Sequence, residues 1–465
     1  MPSQSLPSVA SPAGVIEPRA EPSIYGRTFW LAYLANVLLV CANSLTFRFA
    51  EFVRELGGTE TNSGEIVRAG LIAAMVSRFW LGGAIDRHGA GRVWIASGVL
   101  YVIGALAILS CTQLSPLIWC ARIAYTVGLA GMFSCSMVHI QAQAPPHRRT
   151  ELIGSLGSSG FIGTIVGTQL NDLLFNSMVR VADSGALVPS PFRFTWLFGG
   201  AAVLGALHML VVYLLTRGEN HRAPASTPAA HRLLFQHWPG LILLVAATMG
   251  SGFVVTTVFL TRFATATHLH GISTFFLAYS VTAFSCRWLF RGFSQQAGRH
   301  RMVLYGLFGM AIGQWLFMAV KNDWQFLFPA VASGFGHALL FPAVVSLGAG
   351  RFPVQYRGTG TTLVLGFTEL GTAIAAPLQG QLIDFGNARA PGLGFTWMFL
   401  AAGMAALLTG LLYAATAARV PDVDPTFPLI ADLDGMGEEC ADTTEDLEDD
   451  ADEGRNLSKA EPASS

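Results

Sequence analysis

The sequence predicts an all-α membrane protein with 12 transmembrane helices arranged as two pseudo-symmetric six-helix bundles. Three observations carry that expectation: a strongly apolar composition, twelve apolar stretches of spanning length, and short segments of the first half that recur in the second. Of 465 residues, 52% are hydrophobic and 12% charged, and mean hydropathy is positive. A soluble chain of this length seldom shows that balance. Crossing about 30 Å of hydrocarbon takes about 20 helical residues at about 1.5 Å each. Stretches near 28–47, 64–84, 92–111, 117–140, 151–175, 194–216, 239–262, 271–291, 302–320, 325–349, 358–383 and 394–416 satisfy that length.

Ahead of the first stretch, residues 1–26 are rich in Pro, Ser and Ala. They have no basic start leading into an apolar run, so they read as a disordered lead rather than a cleaved signal. The longest polar break, 217–237, holds Arg217, Arg222, Arg232, three histidines and two prolines. It divides the spans six and six, into bundles at 27–216 and 238–416. Residues 421–465 carry 15 of the 29 acidic residues against Arg455 and Lys459, a net charge of −13. So acidic a segment with few aromatics cannot bury a core, and 417–465 reads as a disordered tail. The six cysteines show neither C-x-x-C spacing nor a secreted disulfide framework.

Loop arginines set the expected orientation. With both termini and the 217–237 linker in the cytoplasm, thirteen loop arginines fall on the cytoplasmic side and five basic residues on the other. Positive loop charge stays inside, whereas acidic residues contribute little to that rule. The expected setting is a cell or inner membrane.

The halves resemble each other at a nearly constant shift. Ser77-Arg78-Phe79-Trp80 leading to Gly89 recurs as Cys286-Arg287-Trp288-Leu289 leading to Gly298, 209 residues on. Pro145 and Arg149 recur as Pro353 and Arg357 at 208, as do Gly128 and Gly163 at Gly336 and Gly371. Matches in one order and on one membrane side indicate a parallel duplication of six helices.

Between the second and third spans the chain reads Gly82-Gly83-Ala84-Ile85-Asp86-Arg87-His88-Gly89-Ala90-Gly91-Arg92. Glycines allow a tight turn and close helix approach, the aspartate suits a helix N-terminus, and Arg87 and Arg92 hold the loop at the cytoplasmic face. The segment resembles the G-x-x-x-D-R-x-G signature of the major facilitator superfamily, with Gly82, Asp86, Arg87 and Gly89 at its positions. That resemblance, with the duplication, covers about residues 27–416. It implies secondary transport by alternating access, with Asp86 docking near Gly358 at the start of the eleventh span. It also implies that the second, eighth, tenth and eleventh spans face a central cavity. The second copy, Gly292 to Arg299, has Gln295 where the aspartate should stand, and Ala90 and Gly91 precede Arg92 where basic residues usually follow. The glycines of the fifth span, Gly154, Gly157, Gly160, Gly163 and Gly167, read as a packing stripe.

An ionisable group at mid-bilayer costs about 2.5–3.5 kcal/mol on insertion scales, so each needs a partner, a wet cavity or a role. Glu369, Arg78, Arg287 and His337 lie deep in their spans. They are the candidate substrate-binding or coupling residues, against the alternative of static helix pairing. Arg78 with Glu369 is a candidate ion pair, whereas Arg287 has Phe161 at the position equivalent to Glu369 and is a candidate anion site. Asn36, Asn43, Thr256 and Thr257 are candidate neutral contacts to solute. His208 reads as packing, and Arg122 is expected to reach the outer headgroups.

No G-x-x-x-x-G-K-[ST] loop is present and no nucleophile or metal spacing stands out. No cofactor, nucleic acid or enzymatic activity is therefore expected. The expected function is secondary active or facilitative transport of a small anionic or zwitterionic organic solute by a monomer in the lipid bilayer, with protons as the candidate coupling ion through Glu369. A solute sensor derived from a transporter is the alternative.

Overall fold

Glycine and proline punctuation sets the element boundaries. The computed structural model describes residues 24–58, 60–180, 187–269 and 272–417. In its first half the long helices are α1 (Arg27–Ser44), α2 (Glu60–His88), α3 (Ala90–Leu109), α4 (Pro116–Ala142), α5 (Arg149–Phe175) and α6 (Arg193–Thr216). The second half holds α7, α8 (Ile272–Leu289), α9 (Arg299–Leu316), α10 (Leu327–Gly350), α11 (Arg357–Asn387) and α12 (Leu393–Ala417). The seventh, α7, runs as Ile242–Val254, a π-helical turn at Val255–Phe259, and Leu260–Ala266.

Gly89 ends α2 with φ +86°, and Gly298 precedes α9 with φ +84°, a left-handed conformation that favours glycine. The duplicated turn thus keeps its glycine for a backbone reason. Pro145 and Pro353 each lead into a single 3-10 turn, Pro146–Arg148 and Val354–Tyr356, from which α5 and α11 start.

The packing repeats as the sequence does. In the first half α3 packs on α4 and α6, α1 on α5 and α6, and α2 on α4. In the second α9 packs on α10 and α12, α7 on α11 and α12, and α8 on α10. Across the halves α2 and α4 meet α11, while α8 and α10 meet α5.

Close crossings rest on glycine, as expected where no hydrophobic gain separates protein from lipid and contact depends on fit. A Cβ on Gly163 of α5 would lie 2.8 Å from Val37 O of α1, and one on Gly371 of α11 would lie 2.5 Å from Ala247 Cα of α7. The two are the duplicated pair of the sequence.

Among the described residues, ten helical segments are long and apolar enough to cross a membrane; α5 and α8 are not among them. These two face each other between the halves, where polar side chains have protein partners. The all-α expectation meets one exception, a short antiparallel hairpin of β1 (Met178–Arg180) and β2 (Leu187–Pro189) between α5 and α6. The linker also carries structure: its short helix Ala230–Gln236 packs on α2 and α11. The expected lead (to residue 23) and the acidic tail (from 418) lie outside the described residues.

Candidate functional site

The α2–α3 turn brings Asp86 to the start of α11, where the first helical N–H groups lack intrahelical acceptors. Its carboxylate accepts from Gly358 N at 2.7 Å, Thr359 N at 2.9 Å and Thr359 Oγ1 at 2.5 Å. Gly82 permits the approach, since a Cβ there would lie 2.5 Å from Thr359 Cα. From the linker, His221 Nε2 lies 2.8 Å from the Asp86 carbonyl oxygen. Arg87 and Arg92 are exposed.

The duplicated counterpart is built with the charge exchanged. Gln295, at the aspartate position, donates to Glu151 Oε2 at 2.9 Å, and Glu151 stands on α5 where Thr359 stands on α11. Arg148 Nε donates to Glu151 Oε2 at 3.0 Å, and Tyr25 OH donates to Glu151 Oε1 at 2.7 Å. Burial pushes the Tyr25 hydroxyl up to about 12, so it remains a donor across the physiological range. Trp288 Nε1 donates to Ser158 Oγ at 3.0 Å, and its ring stacks with those of Tyr25 and Trp30. Gln141 Nε2 adds a bond to Thr361 Oγ1 at 3.1 Å. The sequence pattern missed Glu151, Tyr25, Trp288 and Gln141. Applying the 208 shift backwards from Thr359 would have found Glu151.

More than two turns deeper, the structure brings Arg78 of α2 to Glu369 of α11. Arg78 Nε donates to Oε2 at 2.7 Å and Nη2 donates to Oε1, a bidentate pair, while Nη1 donates to Ser134 Oγ of α4 at 2.8 Å. The Arg78 side chain is 5% exposed and that of Glu369 32%. The carboxylate therefore borders open space at mid-helix while the guanidinium is enclosed.

At the equivalent place across the pseudo-twofold, Arg287 of α8 meets Phe161 of α5. Its guanidinium carbon lies 4.8 Å from the Phe161 ring centroid and 5.6 Å from that of Phe341. Among the described residues no carboxylate pairs with Arg287, and its Nε is buried without an acceptor. His337 Nδ1 is hydrogen-bonded to the Tyr279 hydroxyl, and the rings of Phe161, Phe253 and Phe341 surround the imidazole.

Other candidates bond within their own half, Thr257 from an exposed position. Asn36 Nδ2 donates to Ser159 Oγ at 2.6 Å and is buried between α1 and α5, and Asn43 Oδ1 accepts from Tyr125 OH at 2.8 Å. Seven residues apart, they share a side of α1, but that side faces its own half. Thr256 and Thr257 return their hydroxyls to Phe253 O at 3.1 and 2.6 Å, at the π-helical turn. His208 Nδ1 lies 2.7 Å from Ala35 O, inside the first half. Arg122 departs from expectation: instead of reaching the headgroups it lies over Phe49 and Tyr125, at 4.7 and 5.0 Å from the ring centroids. Ring faces near enough to hold the guanidinium offset the loss of water.

Residues 29–296 and 271–433 match the family model described as Major Facilitator Superfamily. An uncharacterised MFS-type transporter of Pseudomonas aeruginosa strain UCBPP-PA14 is 27% identical over 198 residues, 42% of this chain and 47% of that protein. A second, from strain LESB58, is 26% identical over 191 residues, 40% and 45% of the two chains. The chain thus spans about half the length of the curated relatives it matches. Among solved structures, a bacterial homologue of the iron transporter ferroportin, in an outward-facing state, aligns at TM-score 0.65 and 16% identity, over 85% of this chain and 100% of that one. The Escherichia coli fucose:proton symporter aligns at 0.63 and 16%, over 83% and 98%. The human organic anion transporter MFSD10 aligns at 0.63 and 12%, over 84% and 100%. These structural likenesses establish the fold.

Proposed function

Because the chain belongs to the major facilitator superfamily, we propose that it is a secondary transporter moving a small organic anion or zwitterion by alternating access. The observation that carries this reading is the set of contacts joining the halves at one end: the Asp86 cap on α11, the Arg78–Glu369 pair, and the Glu151–Gln295 contact. In this reading that end is cytoplasmic, and the state described faces outward. The six-helix units 27–216 and 238–416 then rock against each other about the site, with 217–237 as their cytoplasmic connection.

Arg287 is the proposed anion contact. Helix geometry holds it at the height of the Arg78–Glu369 pair, and it has a full charge with no carboxylate of its own. Glu369 is the proposed coupling group. When the halves part it loses Arg78, and a carboxylate left without its cation in a less polar site can take a proton instead.

Proteoliposomes holding the full chain test the reading. Uptake of an organic anion against its gradient, driven by an imposed proton gradient and lost with Arg287→Gln, is the expected result. Saturable binding without net flux would instead identify a sensor. Unchanged apparent affinity and maximal rate in Arg287→Gln would remove the anion assignment.

A further inference from the structure

We propose that the Arg287 site takes a monoanion with an aromatic or similarly planar apolar body, in preference to a polyol or a multiply charged acid. The proposal rests on the reading of Arg287 as the anion contact and adds the chemical class. The duplication itself supplies the first observation. Arg78 meets a carboxylate, Glu369, while its counterpart Arg287 meets a phenyl ring, Phe161, at the matching position. At this height one half of the interface therefore carries its own anion and the other offers a guanidinium to a ligand, since the carboxylate of that second arm, Glu151, is held by Arg148, Gln295 and Tyr25.

The surroundings define the rest of the ligand. Arg287 is 5% exposed, and its place is cut by Gly157, where a Cβ would come within 3.2 Å of the guanidinium carbon. Around it Phe161, Phe341, Phe253, Tyr279 and His337 form one continuous set of ring contacts, with centroid separations from 4.9 to 6.0 Å. Such faces favour a flat apolar body by stacking and edge contacts. A polyol needs many free donors and acceptors, because a buried polar group left unpaired is costly. Here the nearby hydroxyl and indole groups are engaged, Tyr279 with His337 and both Tyr33 and Trp288 with Ser158, while Asn36 binds Ser159 through Nδ2 and keeps a single free acceptor, Oδ1, too few for a polyol. One free guanidinium also matches one negative charge.

The test uses the purified full chain at neutral pH and anionic probes: benzenesulfonate, methanesulfonate, benzene-1,3-disulfonate and gluconate, with benzyl alcohol as the neutral ring. Thermal shift gives apparent affinity, since a ligand of the folded state raises stability by mass action. Benzenesulfonate is expected to bind at least about tenfold more tightly than methanesulfonate, the scale that one or two ring contacts supply. Phe161→Leu should shrink that ratio. Phe161→Glu, which gives Arg287 the partner that Arg78 already has, should fold normally and lose benzenesulfonate binding. Equal affinity for the two monosulfonates, lost in Arg287→Gln, would overturn the aromatic class and leave the anion reading standing. Tighter binding of gluconate or of the disulfonate would also overturn it. Stabilisation by benzyl alcohol alone, or by none of the probes, would remove both.

Discussion

In the proposed transport cycle the Arg78–Glu369 pair is the gate. Each is an ionisable group at a depth where a lone charge costs several kcal/mol, and the bidentate contact satisfies both. Removing one partner leaves the other uncompensated, so Arg78→Ala or Glu369→Ala should cut the maximal transport rate by at least about tenfold, the usual consequence of orphaning a buried charge. The exchanged pair, Arg78→Glu with Glu369→Arg, should recover much of the rate if the contact acts only as a gate. If Glu369 also carries the proton, the exchanged protein should fold and reach the membrane but lose the pH dependence of uptake. Recovery of both rate and pH dependence would exclude Glu369 as the coupling group.

In the proposed cycle the interface between the halves opens while the crossings within each half stay packed. α2 and α11 are held together at their near ends by Asp86 on the α11 N-terminus, where charge-assisted bonds to backbone N–H contribute about 1.5–3 kcal/mol each in favourable cases. Asp86→Ala removes those acceptors and should shift the population toward the inward-open state. A cysteine at Gly366, beside Arg78 in the closed interface, should then react faster with a thiol reagent supplied from the cytoplasmic side; unchanged reactivity would mean the cap does not set the equilibrium. Crossings within a half behave differently. Gly163→Val and Gly371→Val force side chains into the α1 and α7 backbones, so both should lower the melting temperature and expression. Gly160→Ala, whose nearest neighbour is Val40 at 3.9 Å, should be tolerated on the same assay.

At the scale of the molecule, the pseudo-twofold repeats the packing and exchanges the charges. Asp86 meets Thr359, Gln295 meets Glu151, Arg78 meets Glu369, and Arg287 meets Phe161. Two interface arms of one geometry thus hold by different chemistry; in the proposed function the arm with Arg78 and Glu369 answers to protons and the arm with Arg287 and Phe161 takes the ligand. The orientation belongs to this scale as well. Ser226 is exposed in the linker, with its carbonyl oxygen accepting from Tyr356 OH at 3.2 Å. With the linker cytoplasmic, Ser226→Cys should resist an impermeant thiol reagent in intact cells and react once the membrane is opened; ready labelling of intact cells would invert the topology and with it the assignment of the gated end.

The sequence alone determined the long helices, the repeat that relates the halves, the glycine turns at Gly89 and Gly298, and the Asp86 loop. These are properties of local hydropathy, backbone preference and constant spacing, and each can be read along the chain. Depth along a helix was legible too, which is why Arg78 and Glu369 could be paired at about 1.5 Å per residue. Which side of a helix a polar group presents was not. Each residue turns by about 100° on the helix, so a small error in span ends or helix rotation sends a side chain to lipid, to its own half or to the interface. Asn36 thus went to Ser159 of its own half, Arg122 to aromatic faces, and Glu151 to Gln295 across the halves. Only tertiary packing, which fixes the rotation of every helix at once, decided those partners.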